Sequence, residues 1–178
     1  MNQLAPERRR SRISRLQILD TASHLLQENG AQGVSIRKIA SLIPCAPPSI
    51  YYYFKNKEEI LDAMVDAPLT ELIDRLALES GNNADAKSLL LSYADFWLLH
   101  RRQMSLLFLP GHWGQQSIFN HPKYSQIESA IESALNGDSL RAEGYLGLVN
   151  GLLFKVQNSD IDEKKAHQLV EQTLTHLL

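Results

Sequence analysis

The stretch Ser35–Lys57, SIRKIASLIPCAPPSIYYYFKNK, leaves this chain few ways to fold. Ser35 is placed to cap a short helix whose apolar residues Ile36, Ile39, Ala40 and Ile43 recur at helical spacing. Pro44 stops that helix, because the residue before a proline is pushed out of the α region. Pro47 suits the first turn of a second short helix, where its missing N–H has no partner to lose. Ile50 and Phe54, four apart, give that helix a buried face, and Ser49, Tyr52 and Tyr53 lie on the other. Asn56 followed by Glu59 is a capping-box pattern for a third, longer helix. Two short helices, a tight turn and a long helix form a unit that fits a major groove.

Around this unit stand Ile18-Leu19-Asp20-Thr21-Ala22 through Asn29-Gly30, then Ile39-Ala40, Ile50-Tyr51-Tyr52-Tyr53-Phe54 and Lys57-Glu58-Glu59-Ile60-Leu61. In this order and spacing they resemble the tetracycline-repressor (TetR) family of bacterial regulators, over about a quarter of the chain. Pro44 stands where the family usually has a turn glycine, and Ala46 where it has a capping serine. Pro47 and Pro48 replace a small or basic pair. The resemblance implies an all-α protein of about nine helices, with a helix-turn-helix DNA-binding domain at 1–57. An effector-binding and dimerisation domain follows at 58–178. It also implies a homodimeric repressor, released from a palindromic double-stranded operator by a small molecule.

The residues expected at the DNA are Arg12 in the arm, Ser35 and Arg37 in the first short helix, and Ala46, Pro47 and Ser49 around the start of the second. Tyr51, Tyr52, Tyr53 and Lys57 complete the set. Lys57 opens a helix, the positive end of the dipole, where a cation is disfavoured unless an anion faces it. The matching lysine in the family touches the DNA backbone.

Charge is divided in the same way. Residues 1–57 hold nine Lys/Arg against three acids, and the remainder holds nine against seventeen, so a net charge of −2 conceals a basic head on an acidic body. Five of the nine lie in Arg8–Arg15, an arm able to reach phosphates or a minor groove. The single cysteine, Cys45, excludes an internal disulfide and suits a cytoplasmic protein. It reads as a filler of a small apolar slot rather than a redox switch. No apolar run approaches the ~20 residues of a membrane span.

Beyond the head, a helix is expected from Lys57 to about Leu78, interrupted at Pro68, where a kink would help relay an effector signal to the head. The next, about Asp85 to His100, is nearly apolar and belongs in the middle of a domain. Its one polar stripe, Ser88, Ser92, Asp95 and Arg102, reads as a solvated edge. Further helices are expected at 101–109, at Pro122–Asn136, from Leu140 to Gln157 under an Asp138 or Ser139 cap, and after Asp160 or Asp162.

Tyr93, Phe96, Trp97 and His100 share one helical face, and Phe108, Trp113 and Phe119 follow in an aromatic loop that can close over them. Without a clear buried charge, such a pocket suits an uncharged or aromatic effector; core packing is the competing reading. Gly144, Gly147 and Gly151 line one side of a later helix with Leu148. Each glycine costs ~1 kcal/mol relative to alanine, so three on one side call for a close backbone approach. By the resemblance that approach is to a second subunit, with Leu169, Thr173 and Leu177 of the last helix joining the interface.

No phosphate-cradling loop, nucleophile elbow or H-E-x-x-H pattern occurs. His100, His112 and His121 match no metal-ligand spacing, so no catalytic residue, metal or cofactor is expected. The reading is a ligand-responsive DNA-binding regulator. The alternative, kept open by Pro44, Ala46, Pro47 and Pro48, is a small-molecule-binding or protein-interaction module whose helix-turn-helix no longer binds DNA effectively.

Overall fold

The computed structural model of the chain describes residues 13–101, 103, 104 and 121–178. Every regular element among them is a helix: α1 (Arg15–Gly33), α2 (Ile36–Leu42), α3 (Pro47–Tyr51), α4 (Lys57–Gly81), α5 (Ala86–Leu99), α6 (Tyr124–Ala134), α7 (Ser139–Gln157) and α8 (Glu163–Leu177). The helix expected at 101–109 lies mostly outside the described residues. The chain divides into two compact units between Ile60 and Leu61.

In the first unit, α1 opens with a full capping box: Ser14 Oγ accepts the Gln17 N–H, and Gln17 Oε1 accepts that of Ser14. Its buried stripe of Ile18, Ala22, Leu25 and Leu26, with Val34, Ile39, Ala40, Ile50 and Phe54, makes up the buried apolar core of this unit, in which α1 packs on α2 and α2 on α3. The regular helix stops at Gly30, whose φ of +64° is open to glycine at little cost, and a short turn carries the chain to Gly33. A Cβ at Gly33 would collide with that of Asn29, so only glycine fits there. Ser35 caps α2 through the Lys38 N–H, and Ile43 before Pro44 is extended, ending the helix as expected. Ala46 precedes α3 without a side-chain cap, and Pro47 opens it. Asn56 caps α4 through the Glu59 N–H, while the Glu59 carboxylate reaches the Lys55 N–H, one residue earlier than a standard capping box.

In the second unit α5 is central, packing against α6, α7 and α8. Leu89, Leu90, Tyr93, Ala94, Phe96, Trp97 and Leu98 are all buried. The polar stripe of α5 corrects one expectation. Ser92 is buried and donates to Glu79 of α4 at 2.7 Å, and Asp95 meets His167 of α8 at 2.6 Å. Ser92 and Asp95 therefore join helices, the first buried and the second half-buried. Asp138 and Asp162 cap α7 and α8 through the N–H groups of Arg141 and Lys165.

α4 runs unbroken through Pro68, so the interruption expected there is not a separation into two helices. Beside it, Lys123 Nζ makes three bonds to α4: 2.6 Å to the Asp66 carboxylate, 2.6 Å to Thr70 Oγ1 and 3.2 Å to the Asp66 carbonyl. They hold the start of α6 against the flank of Pro68.

Candidate nucleic-acid interface and ligand-binding region

The surface of α3 is apolar and open. Ala46, Pro47, Pro48 and Ser49 are exposed, with Tyr51 55% and Tyr52 85% accessible. Leu42, at the end of α2, is 59% accessible, and the exposed Arg37 and Lys38 lie on the same helix. Tyr52 stands edge-on to Tyr53, with ring centroids 5.1 Å apart.

Three expected DNA residues are engaged inside the unit. The Ser35 hydroxyl accepts the Lys38 N–H, leaving its own O–H to donate. The Tyr53 hydroxyl donates to the carbonyl of Ile13 at 2.6 Å, tying the entry to α1 against the end of α3. Lys57 Nζ donates to the carbonyl of Ala31 at 2.8 Å. That bond satisfies a chain-end carbonyl of α1 and gives the cation a reason to sit at a helix start without any phosphate. Arg12 lies outside the described residues. Cys45 is half-buried and burial raises its thiol pKa, which disfavours the reactive thiolate.

Lys57→Ala is expected to cost the head roughly 1 kcal/mol, since the part-buried Ala31 carbonyl loses its shorter hydrogen bond and keeps only the 3.3 Å one from the Val34 N–H. Denaturant unfolding checks this. If Lys57 also meets phosphate, the same change lowers the salt slope of DNA binding by about one.

The aromatic face of α5 forms a packed column. Tyr93 and Trp97 are fully buried, and Phe96 meets Trp97 edge-on at 5.3 Å. His100 stacks on Phe96 at 4.1 Å. Phe108, Trp113 and Phe119 lie outside the described residues. The column ends in a polar network that sequence reading missed. The Tyr93 hydroxyl donates to Asn150 Oδ1 at 2.7 Å, and Asn150 Nδ2 donates to the Tyr124 hydroxyl at 2.9 Å, joining α5, α7 and α6. Burial holds both tyrosine hydroxyls above their ordinary pKa. A signal was present, because Asn150 falls on the same buried face as Leu146, Val149 and Leu153.

A groove of about 730 Å³ opens elsewhere, between α4, α5 and α8, where Arg75, Asp95, Lys164, His167 and Glu171 face it. Among the described residues, none of those expected in the effector pocket (Tyr93, Phe96, Trp97 and His100) lines this groove. The hydrogen bond that His167 Nδ1 gives to the Asp95 carboxylate raises the His167 pKa. A raised folded-state pKa means that this contribution is full below the unfolded value near ~6.5 and fades as pH rises through the folded value. His167→Gln should therefore flatten the wild-type decline in melting temperature over about pH 6 to 8. Parallel curves for the two proteins would show that the pair contributes nothing.

On α7, nothing lies within 4 Å of a Cβ built at Gly144, Gly147 or Gly151 among the described residues. Leu140 (78%) and Phe154 (51%) of α7 and Leu177 (52%) of α8 are exposed, and Leu148, Leu169 and Thr173 are half-buried. The Tyr145 hydroxyl donates to the carbonyl of Leu177, binding the end of α8 to α7. Among the described residues no group of three His, Cys, Asp or Glu side chains is placed to hold a metal, and no helix is long and apolar enough to cross a membrane.

Residues 18–64 match the model of bacterial regulatory proteins, tetR family. The fatty acid metabolism regulator protein of Bacillus subtilis is 28% identical over 160 residues, covering 89% of this chain and 76% of that protein. Two solved structures share the fold. A transcriptional regulator from Aquifex aeolicus has a TM-score of 0.68 at 16% identity, with 92% of this chain and 99% of that one covered. FadR from Bacillus subtilis, in complex with stearoyl-CoA, has a TM-score of 0.64 at 21% identity, with 90% and 97% covered. With its helix-turn-helix in place, the chain carries over residues 18–64 the domain described by the model of bacterial regulatory proteins, tetR family.

Proposed function

We propose that the chain is a homodimeric, cytoplasmic DNA-binding repressor, with no catalytic activity, that a small molecule releases from a palindromic operator. The observation that carries this reading is the exposed outer surface of α3, presented by a helix-turn-helix whose Ser35-capped first helix also exposes Arg37 and Lys38. Ala46, Pro47, Ser49, Tyr51 and Tyr52 are free to approach bases or phosphates, while Ser35, Tyr53 and Lys57 mainly brace the unit. The open glycine stripe of α7, with Leu148 and with Leu169, Thr173 and Leu177 of α8, is the dimer face.

The effector is an uncharged or aromatic small molecule received at Tyr93, Phe96, Trp97 and His100, with Phe108, Trp113 and Phe119 completing its pocket. An acyl chain meets that description, and the likeness to a fatty acid metabolism regulator and to a FadR holding stearoyl-CoA supports testing it first. Lys123, fixed to α4 beside Pro68, offers a route by which movement of α6 is felt along α4.

Fluorescence anisotropy with random-sequence duplexes tests the DNA-binding part. Binding at low salt that weakens steeply as salt rises is the expected result. A folded dimer that ignores duplex DNA even at low salt would favour the interaction-module reading. Stearoyl-CoA added to the bound complex is expected to restore free-DNA anisotropy.

A further inference from the structure

Resting on the DNA-binding reading above, we propose that the outer face of α3 selects its operator through the 5-methyl groups of thymine rather than through hydrogen-bonding base edges. Ala46, Pro47 and Pro48 are all exposed, yet none has a side-chain donor or acceptor. The two prolines also lack a backbone N–H, and the Ser49 N–H is already given to the Ala46 carbonyl at 2.9 Å. Exposed Leu42 extends the apolar character onto α2. Of the three tyrosines, Tyr53 spends its hydroxyl on Ile13. Polar readout from α3 is left to Ser49, Tyr51 and Tyr52.

A base edge facing Ala46, Pro47 or Pro48 loses water and gains no partner, a penalty that falls on the polar edges of guanine, adenine and cytosine alike. Thymine alone among the four bases offers an apolar group in the major groove. The exposed Arg37, Lys38 and Lys55 supply attraction to the backbone without reading sequence. Pro47, Pro48 and Leu42 are therefore specificity-determining residues, and the favoured half-site carries thymine opposite them.

The test selects bound duplexes from a random pool, then remakes the winning duplex with deoxyuridine at every thymine. That change deletes the methyl groups and keeps every Watson–Crick and groove-edge donor and acceptor. Burial of one methyl is worth roughly fourfold in affinity, so one in each half-site predicts a loss of roughly tenfold or more. Pro48→Ser, checked for an unchanged melting temperature, should shrink that ratio. Equal affinity for the thymine and uracil duplexes, or winning sites without thymine, would overturn the inference while leaving DNA binding intact. A pool from which nothing is retained would instead overturn the DNA-binding reading itself.

Discussion

Gly151→Leu is expected to leave the protein monomeric at micromolar concentration. A Cβ at Gly151 meets nothing within 4 Å among the described residues, so the new side chain has room on the subunit itself. Replacing a mid-helix glycine should even favour the helix, by up to ~1 kcal/mol. Across a close helix crossing the same side chain overpacks, at ~1–3 kcal/mol per insertion, and two-fold symmetry imposes it twice. The combined cost of about 2–6 kcal/mol weakens the dimer by more than tenfold and as much as ten-thousandfold. Sedimentation velocity reads the change directly. A variant that sediments as the wild type does would remove α7 from the subunit interface.

Asn150→Leu should lower the stability of the second unit by about 3 kcal/mol. The amide of Asn150 serves two buried tyrosine hydroxyls at once, accepting from Tyr93 and donating to Tyr124. Leucine has a similar volume but neither function, and each buried hydroxyl deprived of its amide costs ~1–3 kcal/mol. For a protein of this length that is a drop of about 10 °C in melting temperature. Tyr93→Phe together with Asn150→Leu should cost less than the two single changes combined, because the phenyl ring leaves no hydroxyl to strand. A melting temperature within two or three degrees of wild type for Asn150→Leu would show the network to be energetically idle.

The head was legible because its signals are local. Ser35 and Lys38, Ile43 and Pro44, and Asn56 and Glu59 each act within a turn, so chain order alone exposes the caps and stops. The same holds for Asp138 and Asp162 at the starts of α7 and α8. What sequence reading missed depends on partners far along the chain. Asp95 looks like a solvated edge until His167 arrives 72 residues later. Lys57, expected at a phosphate, has a partner that its place in the sequence does not reveal: the carbonyl of Ala31, 26 residues away. Asn150 draws its role from Tyr93 and Tyr124, at separations of 57 and 26. Pro68 is a case where two outcomes were open from sequence, a kink or a break into two helices, and α4 continues through it as one helix.

The glycine stripe lies between these cases. Spacing alone shows that Gly144, Gly147 and Gly151 share a side of one helix, but not what approaches it. The structure leaves that side open among the described residues, which is what a face reserved for a second copy requires.

The central claim, that two copies of this head read a symmetric DNA site together, is tested most directly by hydroxyl-radical footprinting on DNA flanking the gene. The account predicts two protected patches on one face of the duplex, a whole number of helical turns apart, which disappear together for Gly151→Leu. Protection of a single half-site by the wild-type dimer, or none at low salt, would contradict it.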